Sequence, residues 1–113
     1  LPVSSSPSTV AEHPSSDVKA VHVRILGRVQ RVGFRFWTID EASRRGLDGW
    51  VRNRLDGSFE AIFIGRSQDV DDILRACGEG PPAALVNCVI QSEVDEAVKS
   101  SLVGEGFSAR QTG

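Results

Sequence analysis

Cysteine and histidine are scarce in this sequence: Cys77 and Cys88 are the only thiols, and His13 and His22 the only imidazoles. Two thiols do not make the dense disulfide framework of a small secreted scaffold, and both are expected to be buried and reduced. Neither belongs to a Cys-x-x-Cys pair, and the histidines are too scattered to complete a zinc site, so no structural metal is expected. No apolar run approaches the roughly 20 residues of a membrane helix, and the first residues lack the positive start and apolar stretch of a secretory signal. No membrane association is expected, and a cytoplasmic location is. Net positive charge is also missing. A formal charge of -2 and a sequence pI near 5.6 speak against a protein built to grip a long phosphate backbone, so no nucleic-acid partner is expected. A small anion is still admissible.

What is present is an ordinary globular composition, 40% hydrophobic and 25% charged in 113 residues, which suits one small domain, expected to be a monomer. Residues 1–17, rich in Ser and Pro, offer too little apolar surface to offset the cost of ordering and are expected to form a disordered tail, leaving 18–113 as the domain. Arginine is uneven: Arg24, Arg28, Arg31, Arg35, Arg44, Arg45, Arg52 and Arg54 fall in one stretch, while acids concentrate from Asp69 onward. The front half is therefore expected to build a local positive site.

Hydrophobic periodicity gives the elements. Val21, Val23 and Ile25 alternate with His22 and Arg24 as a strand covered on one face. Gly27 is expected to open a loop, and beyond it Phe36, Ile39, Ala42 and Ser43 recur at helical spacing, with Gly46 as the stop. Leu47 to Arg54 and Phe59 to Ile64 read as two strands joined at Asp56-Gly57. Gln68 to Ala76 reads as a second helix, with Asp69, Asp71 and Asp72 near its positive start. Pro81-Pro82 forbids its continuation, and Ala84 to Val94 suits a fourth strand. A polar loop and a short fifth strand from Phe107 to Gln111 complete the chain. This order predicts an α+β, ferredoxin-like βαββαβ sandwich, an antiparallel sheet with two helices on one face. Trp50, Phe34 and Phe36 are expected in the core, and Thr38 and Ser43 on the helix surface.

The loop between the first strand and first helix is where an anion is expected. Consecutive backbone N–H groups at a turn form a concave nest, the helix start adds partial positive charge, and Arg35 places a guanidinium fork beside them. Gln30 is expected to help shape the loop.

Gly27-Arg28-Val29-Gln30-Arg31-Val32-Gly33-Phe34-Arg35 resembles the acylphosphatase motif G-x-V-Q-G-V-x-F-R, and Gly46-Leu47-Asp48-Gly49-Trp50-Val51-Arg52-Asn53 resembles that family's second motif, G-x-x-G-W-V-x-N. Asp56-Gly57, Glu60, Gly80-Pro81 and Ala84 fit the pattern that follows. The resemblance implies a metal-independent, cofactor-free hydrolase of small acyl phosphates, with inorganic phosphate as product or inhibitor. It makes Arg35 the phosphate-binding arginine, residues 27–34 the phosphate-binding loop, and Asn53 the residue that orients the attacking water. In isolation Arg35 would read as a solubilising helix-start residue and Asn53 as a turn residue; the two agreeing motifs give them these roles.

One position departs from the motif. Arg31 stands where the family has glycine, and if that position needs positive φ the substitution strains the loop. It also supplies a second reading, a catalytically weak or silent anion-binding or interaction domain of the same fold. A third comes from Gly33-Phe34-Arg35-Phe36, which locally resembles the RNA-stacking motif of RNA-recognition domains. The stretch falls at the start of a helix rather than on a central strand, which ranks that reading well below hydrolysis.

Overall fold

The computed structural model describes residues 18–113; the expectation for residues 1–17 lies outside them. Among the described residues five strands and three helices follow in the order β1 (Val18–Arg28), α1 (Phe34–Arg44), β2 (Asp48–Asn53), β3 (Phe59–Arg66), α2 (Ser67–Cys77), β4 (Leu85–Glu93), α3 (Glu96–Leu102) and β5 (Phe107–Ala109). The sheet order is β4-β1-β3-β2-β5. The four long strands pair antiparallel, and β5 adds to β2 in parallel, so the ferredoxin-like arrangement is as expected and the fifth strand is real.

Strand parity decides which side chain faces which layer. Val21, Val23 and Ile25 of β1, Val51 of β2, and Phe59, Ala61 and Phe63 of β3 point to one face, where they meet Phe34 and Ala42 of α1 and Val70, Ile73, Leu74 and Cys77 of α2 in one core. In α1 the buried positions Phe34, Thr38 and Ala42 recur every four residues, a stripe that follows the helical repeat. Phe34 is 1% exposed and meets Phe59 at 4.8 Å and Trp37 edge-on at 5.3 Å between centroids. Burying such a side chain contributes about 1.5–3 kcal/mol, so it anchors the start of α1 firmly.

Several side chains depart from the sequence reading. Thr38 is buried, not on the surface, because its hydroxyl donates to the Phe34 carbonyl at 2.8 Å and so needs no water. Cys77 is buried as expected, and burial pushes its thiol up to about 12, but Cys88 is exposed: it pairs with Leu26 and so faces away from the core into which Val86 and Val89 of β4 pack. Phe36 is not in the core: it is 72% exposed, two helical positions and roughly 200° around the axis from Phe34.

Gly27 does not open a loop, because β1 continues to Arg28 through a bulge at Leu26/Gly27 opposite β4. Gly27 has φ 130°, and a Cβ there would collide with the Leu85 carbonyl oxygen. Only glycine permits both the backbone angle and that approach.

The polar loop expected after β4 contains a helix. With β4 on one edge and β5 beside β2 on the other, the connection must cross a sheet face. Leu102 of α3 lands on Trp50, Ile62 and Ile64, with Ala20 and Val94 around them. The sequence Glu-Ala-Val-Lys-Ser-Ser-Leu has only Val98 and Leu102 as a large apolar pair, too faint a helical signal to read alone. The Asp48 carboxylate then accepts from the Gly104 and Gly106 amides at 2.8 and 2.9 Å, fixing the turn into β5.

Candidate functional site

The segment from Val29 to Gly33 links β1 to α1, and apolar side chains pin it at both ends. Val29 and Phe34 are each 1% exposed, and Val32 lies half-buried against the same core. Between them, the Gln30 carboxamide nitrogen donates to the carbonyls of Arg54 at 2.7 Å and Ser58 at 2.9 Å. Gln30 thus ties this loop to the turn between β2 and β3, and with it to the end of β2.

Asn53 is the last residue of β2. It shares parity with Val51, so it faces the helix layer, whereas Arg52 and Arg54 face the other side. Its backbone is held on both flanks, paired with Phe59 on β3 and accepting at its carbonyl from the Gly113 amide at 3.2 Å. Gly33, φ 80°, immediately precedes α1, which has no side-chain cap and no acidic residue in its first turn. Its first amides therefore have no capping side chain at the positive end of the helix dipole, an arrangement chemically suited to an anion.

These elements enclose an open cleft of about 210 Å³ lined by Val29, Arg31, Gly33, Phe34, Arg35, Phe36 and Asn53. Arg35 and Asn53, assigned from two motifs about 18 residues apart, share its wall. Of the expected phosphate-loop residues, Val29, Arg31, Gly33 and Phe34 line it. Gly27 and Arg28 lie in β1, and Gln30 and Val32 point away to the tether and the core. Phe36, expected in the core, lines the cleft instead.

The arginines divide by partner. Arg24 pairs with Asp56, Arg44 with Asp40, Arg45 with Glu41 and Asp72, and Arg52 and Arg54 with Glu60. Arg28, Arg31 and Arg35 form no ion pair among the described residues, and no carboxylate lines the cleft. Arg66 and Arg110 likewise form no ion pair among the described residues, but of these five arginines only Arg31 and Arg35 line the cleft, so its wall carries uncompensated positive charge. Arg31 has φ 62°, the only positive φ at a non-glycine position among the described residues. It is exposed, and it takes the left-handed conformation that the motif's glycine would adopt.

Behind the cleft, on the face away from α1 and α2, Glu60 gathers a network that the alternation of β1, β2 and β3 could have disclosed. It is 8% exposed and accepts from His22 Nε2 at 2.6 Å, Arg52 Nε at 2.8 Å and Arg54 at 3.2 Å. Burial acts to raise the Glu60 pKa, but the hydrogen bonds from His22 and Arg52 and the Arg52 charge outweigh it, so the carboxyl lies below its ordinary value. Hydrogen bonds from Ser58 lower Asp56 likewise, and the Arg45 guanidinium lowers Asp72. A carboxyl depressed in the folded state stabilises the fold above its unfolded value, about 4.3 for Glu, and that contribution is lost as pH falls through the folded value. The melting temperature is thus expected to drop on acidification below about pH 4.5. Glu60→Gln, which removes charge-assisted hydrogen bonds, is expected to cost about 1.5–3 kcal/mol at pH 7 and to flatten that drop; thermal melts from pH 3 to 7 measure both.

The sequence model for acylphosphatase matches residues 21–108, a span that includes the loop, Arg35 and Asn53. The chain belongs to the acylphosphatase family. Curated acylphosphatases from Trichormus variabilis and Nitrobacter hamburgensis are 48% and 51% identical to it over 87 and 89 residues, which cover 76% and 78% of this chain and 86% and 90% of theirs. Among solved structures, an acylphosphatase from Coxiella burnetii superposes with a TM-score of 0.76 at 27% identity, covering 88% of this chain and all of that one. The family's fold is the one described above. The RNA-recognition reading loses its footing on the geometry: Phe34 is locked in the core, and Phe36 sits on a helix rather than a central strand.

Proposed function

We propose that the protein hydrolyses acyl phosphates to a carboxylate and inorganic phosphate without a metal ion, with Arg35 holding the phosphate and Asn53 orienting the water. The observation that supports this reading is that Arg35, Asn53 and the uncapped start of α1 line one cleft.

Arg35 and the loop amides take up the charge of the terminal phosphate oxygens, and that charge grows on those oxygens in a loose transition state. Water approaches phosphorus on the side opposite the acyl oxygen, its orientation set by the Asn53 carboxamide, which accepts from the water or donates to a phosphate oxygen. The bond from phosphorus to the acyl oxygen breaks and the carboxylate leaves with the electron pair. The water proton passes to a phosphate oxygen, so RCO–OPO₃²⁻ and H₂O become RCOO⁻ and H₂PO₄⁻. A carboxylate is a good leaving group, so no general acid is needed.

The reading as a silent domain rested on Arg31 disturbing the loop. Two observations favour hydrolysis instead: Arg31 holds the left-handed angle that preserves the loop's path, and the cleft stays open with Arg31 on its wall. The left-handed conformation costs a non-glycine residue about 1–2 kcal/mol, while glycine costs about 0.5–1 kcal/mol in chain entropy. Arg31→Gly is therefore expected to stabilise the protein by up to about 1 kcal/mol, within the usual range for a conformationally compatible change. Because it also removes an unpaired cation, it is expected to raise KM for an acyl phosphate about 2–5-fold at low salt, with the difference shrinking as salt is added. Urea titration and steady-state kinetics check the two effects separately.

The direct test is a continuous assay of the purified protein with benzoyl phosphate in the presence of a chelator. Release of benzoate and phosphate at an unchanged rate with chelator supports the reading; no turnover above the uncatalysed rate rejects it.

A further inference from the structure

Among the residues lining the cleft, Val29 and Phe34 bury their side chains in the core, and Phe36 alone presents a large apolar surface, 72% exposed. A single exposed aromatic ring needs no explanation on an ordinary surface. This one stands beside the anion site: the Arg35 guanidinium carbon lies 5.6 Å from the centroid of the Phe36 ring. A phosphate gripped by Arg35 would place its oxygens about 2.8 Å from the guanidinium nitrogens, and the acyl carbon lies one bridging oxygen beyond the phosphorus. The acyl substituent therefore begins within reach of the ring, while the phosphate end is taken up by the loop and helix start.

The chemistry of that wall is selective. A ring face offers contact area and offset stacking to a flat or branched apolar acyl group, and almost nothing to a methyl group. We propose that Phe36 is the specificity-determining residue for the acyl group, biasing the enzyme toward aromatic and branched apolar acyl phosphates over acetyl phosphate. This inference rests on the hydrolytic reading above. The contact is made outside the bonds that change, so it is equally present in the bound substrate and the transition state and acts on KM rather than kcat.

The experiment compares benzoyl phosphate and acetyl phosphate as substrates of the wild type, Phe36→Ala and Phe36→Leu, taking the ratio of their kcat/KM values. Because the ring is exposed, both variants are expected to fold with melting temperatures close to wild type, which thermal melts verify. In Phe36→Ala the benzoyl-to-acetyl ratio is expected to fall about 10-fold, at the low end for apolar discrimination because the cleft is open. The loss is expected in KM for benzoyl phosphate, with the acetyl phosphate constant falling less than threefold; Phe36→Leu is expected to fall between. An equal loss on both substrates means that the ring acts only through Arg35 and overturns the proposal, as does an unchanged ratio. A wild type inert toward both substrates overturns the hydrolytic reading itself, and the two failures are thereby distinct.

Discussion

Arg35→Ala is expected to lower kcat/KM for benzoyl phosphate by at least about 100-fold, the scale of removing one preorganised donor from a developing charge. The loss has two sources. One is the missing fork, which meets two phosphate oxygens at once; the other is the weakened field of a cleft that has no carboxylate on its wall. Arg35→Lys is expected to recover only part of the rate, since an ammonium restores charge without the bidentate geometry. Competitive inhibition by inorganic phosphate should weaken in parallel, because product and substrate share the same end. Arg35 is only half-buried and forms no ion pair among the described residues, so the fold should be unaffected. A variant with wild-type rate, or one that loses rate only because its melting temperature collapses, would remove Arg35 from its role.

Asn53→Ala is expected to lower kcat by about 100-fold while KM for benzoyl phosphate changes less than threefold. The contrast follows from position. The Asn53 backbone is fixed by β3 on one side and by the Gly113 amide on the other, so the side chain projects into the cleft from a rigid strand end, and its expected role is to orient the water rather than to bind the phosphate. Asn53→Asp is the sharper variant. Its carboxylate could still accept from water, but it would place a negative charge beside a dianion, so KM is expected to rise about 10-fold or more. If Asn53→Ala raised KM and left kcat intact, Asn53 would be a binding residue and the water would need another guide.

The sequence disclosed most of this fold because its strands alternate cleanly and its turns carry their own signals. Val21, Val23 and Ile25 declared a face, and Asp56-Gly57 a hairpin. It failed where local pattern and tertiary surroundings diverge. Phe36 reads as a core residue because it heads an apparent helical stripe with Ile39, Ala42 and Ser43, yet the stripe that wins on α1 is Phe34, Thr38 and Ala42, and burial of Thr38 is made tolerable by a hydrogen bond to its own helix rather than by hydrophobicity. Gly27 looked like the start of a loop, and only the proximity of Leu85 on β4 makes it a bulge within a strand. α3 exists because the chain must cross from one sheet edge to the other, a long-range requirement that its seven residues do not announce.

The site was legible in a different way. Arg35 and Asn53 came from two motifs, and no local pattern relates them in space. What joins them is the order of the strands, the parity that turns Asn53 toward α1, and the Gln30 tether between loop and hairpin. The pairing of the other arginines was equally hidden: Glu60 receives Arg52 and Arg54 only because β2 and β3 are neighbours, and that pairing leaves the positive charge of the cleft to Arg31 and Arg35.

The most direct measurement of the central claim is an amide NMR titration of the protein with inorganic phosphate. Saturable shifts confined to residues 29–36, together with the side-chain amide of Asn53, are expected, and Arg35→Ala should abolish them. Shifts centred instead on His22, Arg52 and Arg54 across the sheet, or none at millimolar phosphate, would contradict it.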